Sequence, residues 1–346
     1  MGLFSHNNVK NIHIPASVRV HNGDATGLFA NCRNLVYVSN LPQGMTNASD
    51  LFYGCNNFNQ AVTIPHGVVN GYRMFYWCNK FNSPVTLPNT IQFLRSAFSG
   101  CNNFNQSITI PASVTNMDQA FMDCNNFNSV INLSEGVTDT SSLLQRCTKY
   151  NQPMVIPSSV QKCTYMFNGC YNLNSPVTFA NNGAGVNRMD AMFAGCNKFK
   201  QVIELPITAT NIYAVFTGCT SLTHAPNIPD SVINARNAFF GCTNITEVNI
   251  GRGVTDLNHA FGNCNNLHTV RIYATEVNSF NNMIYYRSNS KLLNIFVKAG
   301  SNTNKKLFSS GQCWLNYYQN FWWNDAANNR YRCNAFNVDV YYNLED

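Results

Sequence analysis

Apolar and polar positions recur along this chain with a single beat. Short runs in which Val or Ile alternates with a polar residue, such as Val62-Thr63-Ile64-Pro65 and Ile108-Thr109-Ile110-Pro111, predict strands with one buried face. Proline directly after Ile64, Leu87, Ile110, Ile156, Leu205 and Ile228 ends the strand, because it has no N–H to give to a ladder. A further apolar residue follows three places on, as at Val68, Ile91, Val114, Val137 and Val160. Each such stretch predicts one coil of a stack.

The beat is clearest in cysteine. Eleven of the 14 cysteines are Cys32, Cys55, Cys78, Cys101, Cys124, Cys147, Cys170, Cys196, Cys219, Cys242 and Cys264. Their spacing is 23 residues for six steps, then 26, 23, 23 and 22. Cys163, Cys313 and Cys333 fall outside the ladder. Three residues before a ladder cysteine stands a Phe, from Phe29 and Phe52 to Phe261, with Leu144 the one exception. Three residues after it stands a second large apolar residue, from Leu35, Phe58 and Phe81 through Tyr150 to Leu267. A fixed period in this range marks a solenoid of the leucine-rich-repeat type. A lone coil of this size cannot bury enough to order itself, so the coils must stack. Gly54, Gly100, Gly169, Gly195, Gly218 and Gly241, each just before a ladder cysteine, are available for positive φ where the chain turns back.

The expected architecture is an α/β-type repeat solenoid, β-rich with short helical turns, right-handed, and closed by a C-terminal cap. Residues 1–31 would hold a half coil (Ile12-His13-Ile14-Pro15) and a four-residue insertion at His21-Asn22-Gly23-Asp24. Residues 32–274 would form the stack, with Asn181-Asn182-Gly183-Ala184-Gly185 as a bulge carrying three extra residues. Residues 275–346 would supply a terminal coil around Leu293–Val297 and an aromatic-rich cap.

The unit A-F-x-x-C-x-x-L/F…V-x-I-P-x-x-V resembles the Treponema-type leucine-rich repeat of BspA-like bacterial surface proteins, over about residues 9–300. Here the segment from Cys to Pro is one residue longer and the segment after Pro one shorter. The Asn-rich Cys-Asn-Asn-Phe-Asn-Gln turn is similar to phage-encoded and gut-bacterial versions. The resemblance implies adhesion and partner binding without catalysis, and it brings no catalytic residues.

Composition narrows the function classes. Charged residues are only 11% of the 346, and 56 are asparagine. A net charge of +6 with no basic run speaks against nucleic acid as partner. No run of 18 apolar residues predicts membrane insertion, and no secretory signal is visible at Met1–His6. The expected setting is therefore a virion or extracellular surface, where a phage protein is released by lysis; a cytoplasmic scaffold is the alternative.

No nucleotide fingerprint or nucleophile elbow occurs, and none of the seven histidines is spaced for a dyad, so no enzyme and no cofactor is expected. The ladder cysteines could be metal ligands, bridges or core. Zinc sites want pairs two to four residues apart, which are missing, and an odd series cannot pair fully, so buried thiols are expected. Cys313 and Cys333 are the pair best suited to a disulfide. The asparagine rows, Asn59, Asn82, Asn105, Asn128, Asn151 and Asn174 among them, read as turn formers that repeat a bond from coil to coil, or as a glycan-binding row. One residue on, Gln60, Ser83, Gln106, Ser129, Gln152, Ser175 and Gln201 alternate. The outward strand positions Thr63, Thr86, Thr109, Asn132 and Thr178 form an uncharged strip that would dock a partner or merely face solvent. Trp322 and Trp323 would be the exposed part of the cap. The expected partners are a protein or a cell-surface glycan, other virion proteins, or copies of the same chain.

Overall fold

The computed structural model describes residues 2–285, 292–298, 301–303, 322–333 and 338–345. The chain divides into two compact units, Met1–Val177 and Thr178–Asp346.

The first unit holds the ladder cysteines Cys32 to Cys170. Its strands are short and parallel: β1 (Asn11–Ile12) pairs with β2 (Tyr37–Val38), and β3 (Val62–Thr63) with β4 (Val85–Thr86), with Thr63 opposite Thr86. β5 (Met154–Ile156) follows, and β6 (Val177–Phe179) spans the division. A second parallel line, of single bridges, runs through Asp24, Asn47, Asn70, Phe93, Asn116, Asp139 and Lys162. Asn or Asp at that place opens the next turn: the side-chain oxygens of Asn70 and Asn116 accept the N–H two residues on, at 3.0 Å in both.

The expected short helical turns are absent among the described residues of the repeats, where helical backbone is limited to 3-10 pieces at His21–Gly23 and Ala180–Gly183. The segment before each cysteine instead alternates right- and left-handed residues. Positive φ recurs five residues before the cysteine (Asp50, Arg73, Ser96, Gln119) and directly before it (Gly54, Trp77, Gly100, Asp123). This alternation aims every second N–H at the neighbouring coil. The N–H groups of Ala48, Asp50, Phe52 and Gly54 donate to the carbonyls of Asn70, Tyr72, Met74 and Tyr76, each at 2.8 Å. Those between, Leu51, Tyr53 and Cys55, donate three residues back within the turn. A run of right-handed residues long enough for i→i−4 bonds never forms, so the coil corner becomes another inter-coil ladder.

The core is built of aligned rings. Phe29, Phe52, Phe75, Phe98 and Phe121 stack at centroid distances of 5.1–5.3 Å. Phe58, Phe81, Phe104, Phe127 and Tyr150 make a second file at 5.8–6.2 Å, with planes within 4° of parallel. All ten are fully buried.

The second unit keeps the first file (Phe193, Phe216, Phe239, Phe261), but its second file turns aliphatic after Phe199, with Leu222, Ile245 and Leu267. Its strands are longer: β7 (Glu247–Ile250), β8 (Thr269–Ile272), β9 (Leu293–Val297), β10 (Trp322–Asp325), β11 (Arg330–Cys333) and β12 (Val338–Tyr341). They form one sheet in the order β10-β11-β12-β9-β8-β7, parallel from β7 to β12 and antiparallel through the final hairpin. Asp339, fully buried on β12, is held by Arg330 at 2.7 Å and Arg332 at 2.9 Å, so its charge is paired twice.

Candidate functional site

The ladder cysteines are core. All eleven are buried, and ten of the thiols, from Cys32 to Cys170 and from Cys219 to Cys264, donate to a backbone carbonyl earlier in the chain. Sγ of Cys55 reaches the carbonyl of Phe29 at 3.0 Å, Cys78 that of Phe52 at 3.0 Å, and Cys101 that of Phe75 at 3.0 Å. In the second unit Cys219 and Cys242 repeat the bond to Phe193 and Phe216. The same carbonyl also accepts the N–H of the cysteine of its own coil, as Phe29 does from Cys32 at 3.1 Å, so both lone pairs are used. Burial pushes the thiols of Cys55, Cys78, Cys101, Cys124, Cys147, Cys170, Cys219 and Cys242 well above their ordinary range. Cys163 is buried too. Cys313 and the side chain of Cys333 lie outside the described residues. Among the described residues no cluster of three His, Cys, Asp or Glu could hold a metal ion. Among them, too, no helix is long and apolar enough to cross a membrane.

The asparagine rows are structural, with a definite polarity. The side-chain oxygen of Asn59 accepts the N–H of Asn82 at 2.7 Å, Asn82 that of Asn105 at 2.8 Å, Asn105 that of Asn128 at 2.7 Å, and Asn128 that of Asn151 at 2.8 Å. The alternating next residue joins the same bond. Ser83 and Ser129 donate to the carbonyls of Asn59 and Asn105 at 2.8 Å, while Gln106 and Gln152 reach the side-chain oxygens of Asn82 and Asn128 at 3.2 Å. A short hydroxyl and a long amide thus serve the same asparagine by two routes.

Three surface features remain. The first is the strand row. Thr63, Thr86, Thr109 and Asn132 are exposed one per coil in the first unit, with Val155 61% exposed after them, and Thr178 is exposed in the second unit. Among the described residues none of these Thr or Asn side chains bonds to the stack. Elsewhere the hydroxyls are consumed by it: Thr90 donates to Val68 at 2.8 Å and Ser113 to Ile91 at 2.7 Å. Trp322 and Trp323 lie on β10, and their side chains fall outside the described residues.

The second feature is an aromatic and arginine cluster on the turn side, which the sequence reading missed. Arg73 lies 4.6 Å from the ring centroid of Tyr72 and 5.4 Å from that of Tyr53, and donates to Asp50 at 2.9 Å. Tyr53 and Tyr76 stack at 5.4 Å, with Trp77 edge-on to Tyr76 at 6.2 Å and 46% exposed. The available signal was a ring in the two places before the cysteine, at Tyr53, Tyr76 and Trp77, where among the other coils only Phe240 is aromatic. Next to it, a cavity of about 810 Å³ opens between Leu3-Phe4 and Val18-Arg19-Val20, reaching Tyr53 and Arg73.

The third feature is a groove of about 670 Å³ lined by Asn59, Asn82, Asn105 and Asn128 together with Lys80, Asn103, Asn126 and Lys149.

A model of the "BspA type Leucine rich repeat region" matches six copies over residues 1–116 and 187–312. A model described as a Mycoplasma protein of unknown function, DUF285, matches residues 69–177 and 92–206. Among solved structures, a leucine-rich repeat protein from Bacteroides ovatus is similar at 21% identity, covering 86% of this chain and 80% of its own, with a TM-score of 0.62. A leucine rich cell surface protein from Faecalibacterium prausnitzii is 23% identical over 77% of this chain and 88% of its own, with a TM-score of 0.48. No curated protein matches.

Proposed function

Because the chain belongs to the BspA type leucine-rich repeat family, we propose that it is a non-catalytic recognition module displayed on a surface, with the threonine row as its docking face. One observation carries this reading. Thr63, Thr86, Thr109 and Asn132 present free polar groups at one-coil intervals with no charge, while the hydroxyls beside them are spent on the stack. A rigid row of this kind suits a large, flat partner. Residues 32–274 are the recognition stack in this reading, residues 275–346 its closing cap, and Trp322 and Trp323 a second contact.

The narrower setting we favour is a bacteriophage virion, as a host-attachment component, on the strength of the Asn-rich Cys-Asn-Asn-Phe-Asn-Gln turn. Binding of the purified full chain to bacterial cells and to isolated envelopes tests the recognition role. Strong binding, weakened at least about tenfold by Thr63→Lys with Thr109→Lys, is the expected result. Full binding by the double variant would remove the row from the reading. A purely structural assembly role would show instead as a defined oligomer in light scattering, broken by the same two substitutions.

A further inference from the structure

The asparagine ladder leaves one kind of group over. A backbone N–H can only donate, so the N–H of Asn82, Asn105, Asn128 and Asn151 holds the oxygen of the preceding asparagine side chain inward. The Nδ2 groups of Asn59, Asn82, Asn105 and Asn128 are therefore turned toward the groove, and among the described residues they bond to nothing. Lys80 and Lys149, both exposed, stand on the same groove three coils apart, about 14 Å at the spacing of paired strands. Between them Asn126 donates to Asn103 at 3.2 Å. No carboxylate lines the groove. Its accessible chemistry is a file of N–H donors, one per coil, with an ammonium near each end.

We propose that this groove binds a linear polysaccharide bearing carboxylate groups, such as a polyuronate, laid along the stack. A polymer of sugar rings offers acceptors at intervals comparable to the coil spacing, and its carboxylates would meet the two lysines. Donors that are free, fixed and aligned lose little freedom on binding, and bonds from ammonium to carboxylate are stronger than neutral ones. A neutral glucan would satisfy the amides and leave the lysines unpaired. The groove shares no residue with the threonine row, so the two proposals stand or fall separately.

Calorimetry of the full chain with polygalacturonate, and with the same polymer fully methyl-esterified, tests the inference. Binding to the acid form, falling steeply with salt and at least about tenfold weaker for the ester, is expected. Lys80→Gln with Lys149→Gln should weaken it about tenfold. Asn105→Asp keeps an oxygen for the N–H of Asn128 but replaces the outward amide with a second carboxylate oxygen, and should weaken it further. Both variants should keep the wild-type circular dichroism spectrum. No binding, equal binding of acid and ester, or unchanged binding by the folded lysine variant would each overturn the proposal. Wild-type polygalacturonate binding by Thr63→Lys with Thr109→Lys is the expected control; loss there would move the site to the threonine row and overturn it.

Discussion

The two units answer the same packing problem with different bonds. In the first, the N–H four residues after a ladder cysteine finds the side-chain oxygen of an asparagine one coil back, as Asn105 does at Asn82. In the second, the equivalent residues are Lys200, Thr223, Thr246 and His268. There His268 donates its N–H to the backbone carbonyl of Thr246 at 2.9 Å. The strands differ accordingly, two or three residues long in the first unit but four or five in the sheet of the second. Where a side-chain ladder and a double file of rings hold neighbouring coils, little strand pairing is needed. Where those fade, backbone pairing takes over. What both units share is the thiol bond to the Phe carbonyl.

The largest expected effect strikes that shared element. A thiol whose pKa is raised by folding contributes stability that is fully present below its unfolded pKa, near 8.5, and lost as pH rises beyond it, because only the unfolded chain then releases the proton. Each buried thiol loses about 1.4 kcal/mol per pH unit there, and several act together. Circular dichroism from pH 7 to 11 should show cooperative unfolding of both units within about one unit above pH 9, and thiol reagents should be inert below it. A fold intact at pH 11 would contradict the thiol assignment.

A smaller effect separates the units. Arg271→Pro, in β8 with partners on both sides, should destabilise the second unit by about 1–3 kcal/mol in urea unfolding, since proline removes a ladder bond and leaves the facing carbonyl unpaired. The first unit should keep its own transition, read from the exposed Trp77 by fluorescence. Smaller again, Asn105→Ala deprives the Asn128 N–H of its acceptor and should cost about 1–2 kcal/mol, while Thr246→Ala keeps the accepting carbonyl and should cost under about 0.5 kcal/mol. Equal losses would erase the distinction drawn between the units.

Much of this was legible from residue spacing. The strands at Val62-Thr63 and Val85-Thr86, the buried cysteines and the regular Phe positions follow from period and proline placement, and the 3-10 pieces at His21–Gly23 and Ala180–Gly183 overlap the insertion expected at residues 21–24 and the bulge expected at 181–185. The coil corner was not legible. Arg73, Ser96, Gln119 and Tyr165 adopt positive φ although their side chains disfavour it, at a cost of about 1 kcal/mol or more each, because the inter-coil bonds over-determine the backbone. Propensity alone cannot foresee that. Nor does residue order announce which end of an asparagine amide faces out; this follows only from the N–H that the neighbouring coil supplies. The Tyr53, Arg73 and Tyr76 cluster was hidden because Tyr53 comes from the repeat before the one that holds Arg73 and Tyr76.

The Ser and Gln alternation carries a consequence for inheritance. Because either residue satisfies the asparagine behind it, a coil need not be followed by its matched sibling. Recombination that adds or drops one complete repeat within residues 55–175 would leave the asparagine bond with a successor able to replace it. Such a gene can vary the reach of its product from one generation to the next without passing through an unfolded intermediate form.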